Sequence, residues 1–153
     1  MLKKIEDKLK FLDLLLLGDE NIEMVKKYLD KGTMYIFEEN EVVGECVVLE
    51  KNFEILELKN LAVYPKFQNQ GYGKKIIDAI TEKYFGKYKI LELGTGDSPL
   101  TIPFYLKCGF EYAGRIENFF TENYEHEIYE CGVKLVDMII LQKKIKNLGD
   151  KSC

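Results

Sequence analysis

Leu58-Lys-Asn-Leu-Ala-Val63, Tyr64-Pro-Lys-Phe67 and Gln68-Asn-Gln-Gly71-Tyr-Gly73-Lys74 follow one another without a break, and their reading decides the fold. The first segment has the composition of a strand. The second stops it at a proline-containing loop, and the third enters a helix through a glycine-flanked turn. Beyond the turn, Ile76, Ile77, Ile80 and Tyr84 recur at helical spacing and give that helix a face to bury. Gly71 and Gly73 leave backbone N–H groups at the helix N-terminus uncovered by β-carbons. Those donors and the positive end of the helix dipole suit a diphosphate beside the end of a strand.

The glycine pattern narrows the ligand. A dinucleotide fingerprint needs a third glycine where this chain has Ile76. A P-loop needs Ser or Thr after Gly-Lys, but Gly73-Lys74 is followed by Lys75, so no hydroxyl is placed for magnesium.

Composition bounds the rest. With 153 residues, 46% hydrophobic and 31% charged, the chain reads as a single domain with a substantial core, residues 1–153. A net charge of −4 argues against a nucleic-acid binder, which needs a basic face. Cys46, Cys108, Cys131 and Cys153 form no CxxC pair and have no histidine close by, as expected for reduced thiols in the cytoplasm. One histidine, His126, is too few for a histidine-rich metal site. The apolar run from Phe11 to Leu17, broken by Asp13, is too short to span a bilayer and lacks a cleavage site. The expectation is a cytoplasmic protein with no membrane partner.

Along the chain, helical spacing occurs at Leu2, Ile5, Leu9 and Leu12, and again at Ile22, Val25 and Leu29. Gly18-Asp19 supplies a break and a candidate N-cap, and Gly32 closes the second helix. Strand-like segments follow at Thr33 to Phe37, Val42 to Leu49 and Phe53 to Val63. They are joined by tight turns at Glu39-Asn40-Glu41 and Lys51-Asn52, which predicts an antiparallel meander. The helix after the turn extends to about Phe85, with Gly86 as its stop. Lys89 to Leu93 reads as a strand ended by Gly94-Thr-Gly96. Ser98-Pro99 offers a cap and a first-turn proline for a short helix to Lys107. Phe110 begins another strand, Val133 to Leu141 is the last, and the lysine-rich end beyond Ile145 frays.

This order of elements resembles the GNAT family of acetyl-CoA-dependent N-acetyltransferases over roughly Gly32 to Leu141. Gln68-x-x-Gly71-x-Gly73 resembles that family's pyrophosphate loop. Leu93-Gly-Thr-Gly-Asp97-Ser98, with Phe104-Tyr105-Leu-Lys-Cys-Gly109-Phe110, resembles its fifth strand, following helix and Tyr-x-x-x-Gly-Phe signature. The stretch from Phe119-Phe120 through Glu130-Cys-Gly132 to Asp137-Met138 is similar to a small bacterial subgroup of the family. The fold implied is α/β (α+β), a mixed, mostly antiparallel central sheet of about six to seven strands flanked by helices.

The resemblance also implies roles. Acetyl-CoA would be the cofactor, with N–H groups of Gln68, Asn69, Gln70, Gly71, Tyr72, Gly73 and Lys74 around its diphosphate. Main-chain groups of Leu61, Ala62 and Val63 would lie along the pantetheine and thioester. Tyr105, four residues before Gly109, would be the general acid that protonates the departing thiolate, a role suited to a phenol still protonated at neutral pH. The alternative is that Phe104 and Tyr105 are packing aromatics. Glu57 is the candidate base, on an unbulged strand sharing a face with Lys59, Leu61 and Val63; the alternative is a glutamate paired with Lys59. Asp97 stands where relatives often carry an asparagine that bonds the pantetheine, and a carboxylate accepts but does not donate such a bond. Pro103 removes a donor inside the short helix, so that helix starts late or bends. Lys66, Lys74 and Lys75 surround the phosphate turn, although lysines on a helix also form ordinary solvated faces.

The acceptor expected is a small-molecule or peptide amine, with Glu122, Glu125, Glu127 and Glu130 favouring a cationic one. The N-terminal helices and residues 114–132 would build its pocket, with His126 a candidate lining residue. A non-catalytic acyl-CoA-binding sensor on the same fold is the alternative. A homodimer is possible through the last strand if its edge is exposed, or that strand closes the sheet.

Overall fold

The computed structural model describes residues 1–145. The described chain divides into two compact units, one of residues 1–91 with Ile145 and one of residues 92–144.

The first unit holds β1 (Leu2–Ile5), α1 (Leu12–Gly18), α2 (Ile22–Leu29), β2 (Thr33–Glu38), β3 (Val42–Glu50), β4 (Ile55–Val63) and α3 (Tyr72–Lys83). Its strands lie in the order β1-β2-β3-β4, each antiparallel to the next, so the meander is as expected. The start of the chain is not the helix its spacing suggested. Leu2 to Ile5 pair with Phe37 to Met34, and helix begins only after a 3-10 turn at Lys8–Phe11. Leu2 and Ile5, three apart, share a helix face but fall on opposite faces of a strand; the edge of β2 nevertheless offers backbone partners that four residues of isolated helix lack.

The cap of α2 also lies later than expected. Asn21, not Asp19, accepts from Glu23 N at 2.9 Å and Met24 N at 3.3 Å, while Asp19 Oδ1 accepts from Asn21 N. At the other end of α2, the Lys8 ammonium donates to Leu29 O at 2.6 Å and Gly32 O at 2.7 Å. A cation is thereby set against the negative end of the helix dipole.

α1 and α2 cover one face of this sheet. Leu15, Val25, Tyr28, Leu29, Met34 and Val47 form a buried cluster there, and each such side chain contributes about 1.5–3 kcal/mol of burial. α3 covers the other face. A β-carbon on Gly44 would lie 3.1 Å from Ile76 Cδ1, and Ile76, Ile77 and Ile80 are buried as their spacing predicts. Tyr84 follows the last turn of α3, its hydroxyl 2.7 Å from that of Tyr35.

The second unit carries β5 (Ile90–Gly96, entering from the first), α4 (Ile102–Lys107), β6 (Glu111–Ile116), α5 (Phe119–Asn123), β7 (Tyr129–Glu130), β8 (Val133–Lys134) and β9 (Met138–Lys144). β5 does not stop at Leu93 but runs through Gly94 and Gly96, which pack over Met138 and Leu135. α4 starts late, at Ile102, with Pro103 in its first turn, where a missing N–H costs nothing. The expected strand from Val133 to Leu141 is two strands. Val133–Lys134 closes a small hairpin with β7, and Met138 onward pairs with β6. β9 lies between β5 and β6 in the sheet order, so it is an interior strand and leaves β6 at the edge. The lysine-rich end beyond Ile145 lies outside the described residues. Among the described residues, no helix is long and apolar enough to cross a membrane.

Candidate functional site

β4 ends at Val63, and Pro65–Phe67 make one 3-10 turn. Side-chain amides then tie the loop to itself. Gln68 Nε2 donates to Val63 O at 2.9 Å, and Gln70 Nε2 donates to Lys66 O at 3.0 Å. The amide of Gln68 itself donates to Pro65 O at 3.3 Å, so it is engaged within the loop. Asn69 and Gly71 both take left-handed conformations, with φ of 63° and 86°. Gly71 is the N-cap of α3, and no side chain caps that helix. Its carbonyl accepts from Lys75 N at 3.1 Å, which fixes the first helical turn. The N–H groups of Tyr72, Gly73 and Lys74 therefore stand in the first turn, where helix geometry supplies no acceptor.

A β-carbon on Gly71 would meet nothing within 4 Å. Glycine is required there by the backbone angle, and the space a side chain would fill remains open over the helix end. This geometry fits a diphosphate. The surrounding lysines are already engaged: Lys66 with Glu41 at 2.6 Å, Lys74 with Asp78 at 2.8 Å, and Lys75 over the Tyr72 ring at 4.8 Å. These groups are largely exposed, so their pairings are weak and exchangeable. The Tyr72 hydroxyl donates to Glu39 at 2.8 Å, a bond that raises the phenol's pKa.

The approach to this turn along β4 departs from expectation. Pairing with β3 runs Cys46↔Leu61 and Val47↔Asn60, then Val48↔Leu58 and Leu49↔Glu57, so Lys59 is an extra residue in a β-bulge. Residues directly opposite share a face, so Glu57, Asn60 and Ala62 lie with Leu49, Val47 and Glu45. Leu49 and Val47 pack in the cluster under α1 and α2. Leu61 and Val63 lie on the opposite face, with Cys46 and Gly44. The reading of Glu57 on an unbulged strand, facing with Leu61 and Val63, is therefore corrected. Its carboxylate meets the Lys59 ammonium at 3.4 Å, and Lys59 also lies 5.7 Å from the centre of the Tyr28 ring.

On that face the sequence left three polar side chains unnoticed. Asn60 Nδ2 donates to Leu15 O at 2.9 Å and to the Tyr28 hydroxyl at 3.0 Å, which ties β4 to both helices. Its Oδ1 is buried with no hydrogen-bond partner among the described residues, and Gly18 approaches it so closely that a β-carbon would stand 2.1 Å away. Glu45 is 0% exposed, and neither of its oxygens has a partner among the described residues. Burial pushes its pKa well above the usual carboxylate range, and burial, partly offset by Asn60, raises that of the Tyr28 phenol. The available signal was an acid inside the apolar run Val42-Val-Gly-Glu-Cys-Val-Val48.

In the second unit, Tyr105 is half-buried on α4, its ring 5.0 Å from that of Phe104 and 5.6 Å from that of Phe110. Asp97 faces Arg115 at 3.5 Å, and Arg115 also holds Asp137 at 2.6 Å. The Asn118 amide and Arg115 together lower the pKa of Asp137. His126 is exposed. Cys46 and Cys108 are buried thiols, while Cys131 is exposed.

Comparison with known proteins agrees with this architecture. The profile of the Acetyltransferase (GNAT) domain matches residues 30–112. An uncharacterized N-acetyltransferase of Bacillus subtilis (strain 168), YvbK, is 34% identical over 132 residues, covering 84% of this chain and 85% of that protein. A GNAT family acetyltransferase from Elizabethkingia anophelis, solved with acetyl-CoA bound, superposes with a TM-score of 0.87. It is 36% identical, with 94% of this chain and 97% of that one covered. A Bacillus subtilis acetyltransferase solved in complex with CoA gives a TM-score of 0.86 at 30% identity, covering 95% and 98%. The chain belongs to the GNAT family of acetyltransferases.

Proposed function

We propose that this chain, as one N-acetyltransferase domain, moves an acetyl group from acetyl-CoA to a primary amine by direct attack within a ternary complex. The observation that carries this reading is the left-handed Gly71 at the uncapped N-terminus of α3. Open backbone donors and a helix dipole meet there beside the end of a strand. The bound ligands named for the two solved relatives support acetyl-CoA as the donor. Acetyl-CoA supplies the activated acetyl group, and the protein contributes positioning and proton transfer.

In this reading the amides from Asn69 to Lys74 hold the diphosphate, with the Gln68 side chain bracing the loop against Val63. Main-chain groups of Leu61, Ala62 and Val63 orient the thioester. Tyr105 donates the proton that the leaving thiolate takes up. Asp97, paired with Arg115, shapes the second unit's loop more than it binds the pantetheine. A cationic acceptor amine fits the acidic balance of the chain.

Calorimetric titration with acetyl-CoA, beside a Gly71→Glu variant, tests the reading. Saturable binding by wild type, lost in the folded variant, supports it; no binding by folded wild type overturns it. Thiol release in the presence of an amine separates an enzyme from a sensor. Tyr105→Phe is expected to lower that release roughly ten- to hundredfold while leaving the affinity for acetyl-CoA unchanged.

A further inference from the structure

Glu45 has no part in the reading above, and its position is unusual for an acid. It sits in the middle of β3, between Ile36 on β2 and Ala62 on β4. It is 0% exposed, with both oxygens lacking hydrogen-bond partners among the described residues. A carboxyl group so placed is retained at a cost unless a donor sometimes meets it.

Register locates it with respect to the proposed chemistry. Glu45 stands directly opposite Ala62, about 5 Å away between Cα atoms as in any antiparallel pair. Ala62 lies in the stretch proposed to orient the thioester. Glu57 is on the same face but five residues earlier on β4, about 15 Å along the strand, and its carboxylate is engaged by Lys59. Among the described residues, the charged and titratable groups of that face are Tyr28 from α2, Asp13 from α1, Asp19 after α1, Glu57 and Lys59 from β4, and Tyr64 just after it, its hydroxyl on Asp13. β2 contributes Met34 and Ile36, which are apolar.

Resting on the proposed function, we propose that Glu45, rather than Glu57, is the general base that takes the proton from the acceptor's ammonium group. The acceptor's ammonium group must then reach this face beneath α1 and α2. Once ionised, on the rising limb of the pH profile, the Glu45 carboxylate takes one proton from the ammonium and becomes the neutral acid. The freed nitrogen lone pair forms the C–N bond as the C–S bond breaks, the thiolate leaves with the electron pair and is protonated by Tyr105, and the second proton on nitrogen restores the Tyr105 phenol as the amide forms. Glu45 then returns its proton to solvent. Desolvation raises the basicity of this carboxylate, which is the direction a general base requires.

The test is thiol release from acetyl-CoA by wild type, Glu45→Gln and Glu57→Gln, from neutral to alkaline pH. The probe amines are spermidine, a lysine peptide with a free amino terminus, and kanamycin. Glu45→Gln is expected to lower kcat about 100-fold, to lose the rising limb of the pH profile, and to bind acetyl-CoA as wild type does by calorimetry. Glu57→Gln is expected to stay within about threefold of wild type. A Glu45→Gln variant with wild-type turnover and pH profile overturns the proposal. Should Glu45→Gln fail to fold, Glu45→Met decides: a folded, acetyl-CoA-binding but inactive protein supports the proposal, and an active one overturns it. Failure of both to fold makes Glu45 a packing residue and also overturns it. Wild type that binds acetyl-CoA yet releases no thiol with any probe overturns the base together with catalysis on these amines. Wild type that does not bind overturns the proposed function itself.

Discussion

Two regions of the first unit, joined by β4, present opposite chemistry. The turn before α3 is rich in donors. It is built from main-chain amides, opened by a left-handed glycine, and no side chain caps the helix end with a hydrogen bond. The face beneath α1 and α2 is rich in acceptors. Glu45 and Asn60 bring three oxygens there that find no donor among the described residues. The first arrangement suits an anion and costs little, because water reaches it. The second is dry, so each unmatched oxygen carries its full desolvation penalty. The proposed transfer, from an anionic donor to a cationic amine, would use both kinds of surface.

The sharpest way to break the contrast is to add charge to the acceptor-rich side. Asn60→Asp removes the two N–H bonds to Leu15 O and Tyr28 and adds a further acidic oxygen to a buried face. A loss of about 3 kcal/mol is expected, read as a lower urea midpoint with unchanged slope. A loss below about 1 kcal/mol would mean that water already reaches this face.

Putting an anion on the donor-rich side comes next in size. Gly71→Glu is expected to weaken acetyl-CoA at least about 100-fold, equivalent to roughly 2.7 kcal/mol. Unchanged affinity would place the diphosphate elsewhere.

The smallest effect is the most specific. Glu45 has its folded-state pKa raised by burial, so the native chain holds a proton that the unfolded chain releases at the ordinary glutamate value. Its contribution to stability is complete below that ordinary value. It is lost as pH rises towards the folded value, at up to about 1.4 kcal/mol per pH unit. Chemical denaturation of wild type against Glu45→Gln across this window should show that slope only in wild type. Parallel curves would mean that Glu45 is charged and compensated in the fold.

The donor-rich turn was legible in the sequence because its conformation is written in residue type. Glycines mark left-handed backbone, the proline marks the strand's end, and Ile76, Ile77 and Ile80 mark the buried side of the helix that follows. The meander was legible for the same reason, through its polar turns. The acceptor-rich face depends on register, which residue type hardly records. One inserted residue at Lys59 moves Glu57 to the opposite face from Leu61 and Val63, and nothing in its composition announces it. At the start of the chain, Leu2 and Ile5 carry a helical spacing, and pairing with β2 overrides it. In the second unit, Asp137 accepts from Asn118 and Arg115 just where one apolar run divides into β8 and β9. That tertiary contact has no local sign.

The bulge also has a consequence for exchanging parts between relatives. β4 is written in two phases, one up to Leu58 and one from Asn60 onward. A graft of this strand that drops one residue would leave each half looking normal in alignment. It would nevertheless turn one half inside out, placing Leu56 and Leu58 against the α1–α2 cover and Glu57 beneath α3. Lys59 is thus a spacer whose presence matters more than its identity: replacement by another residue should be mild, and removal should not.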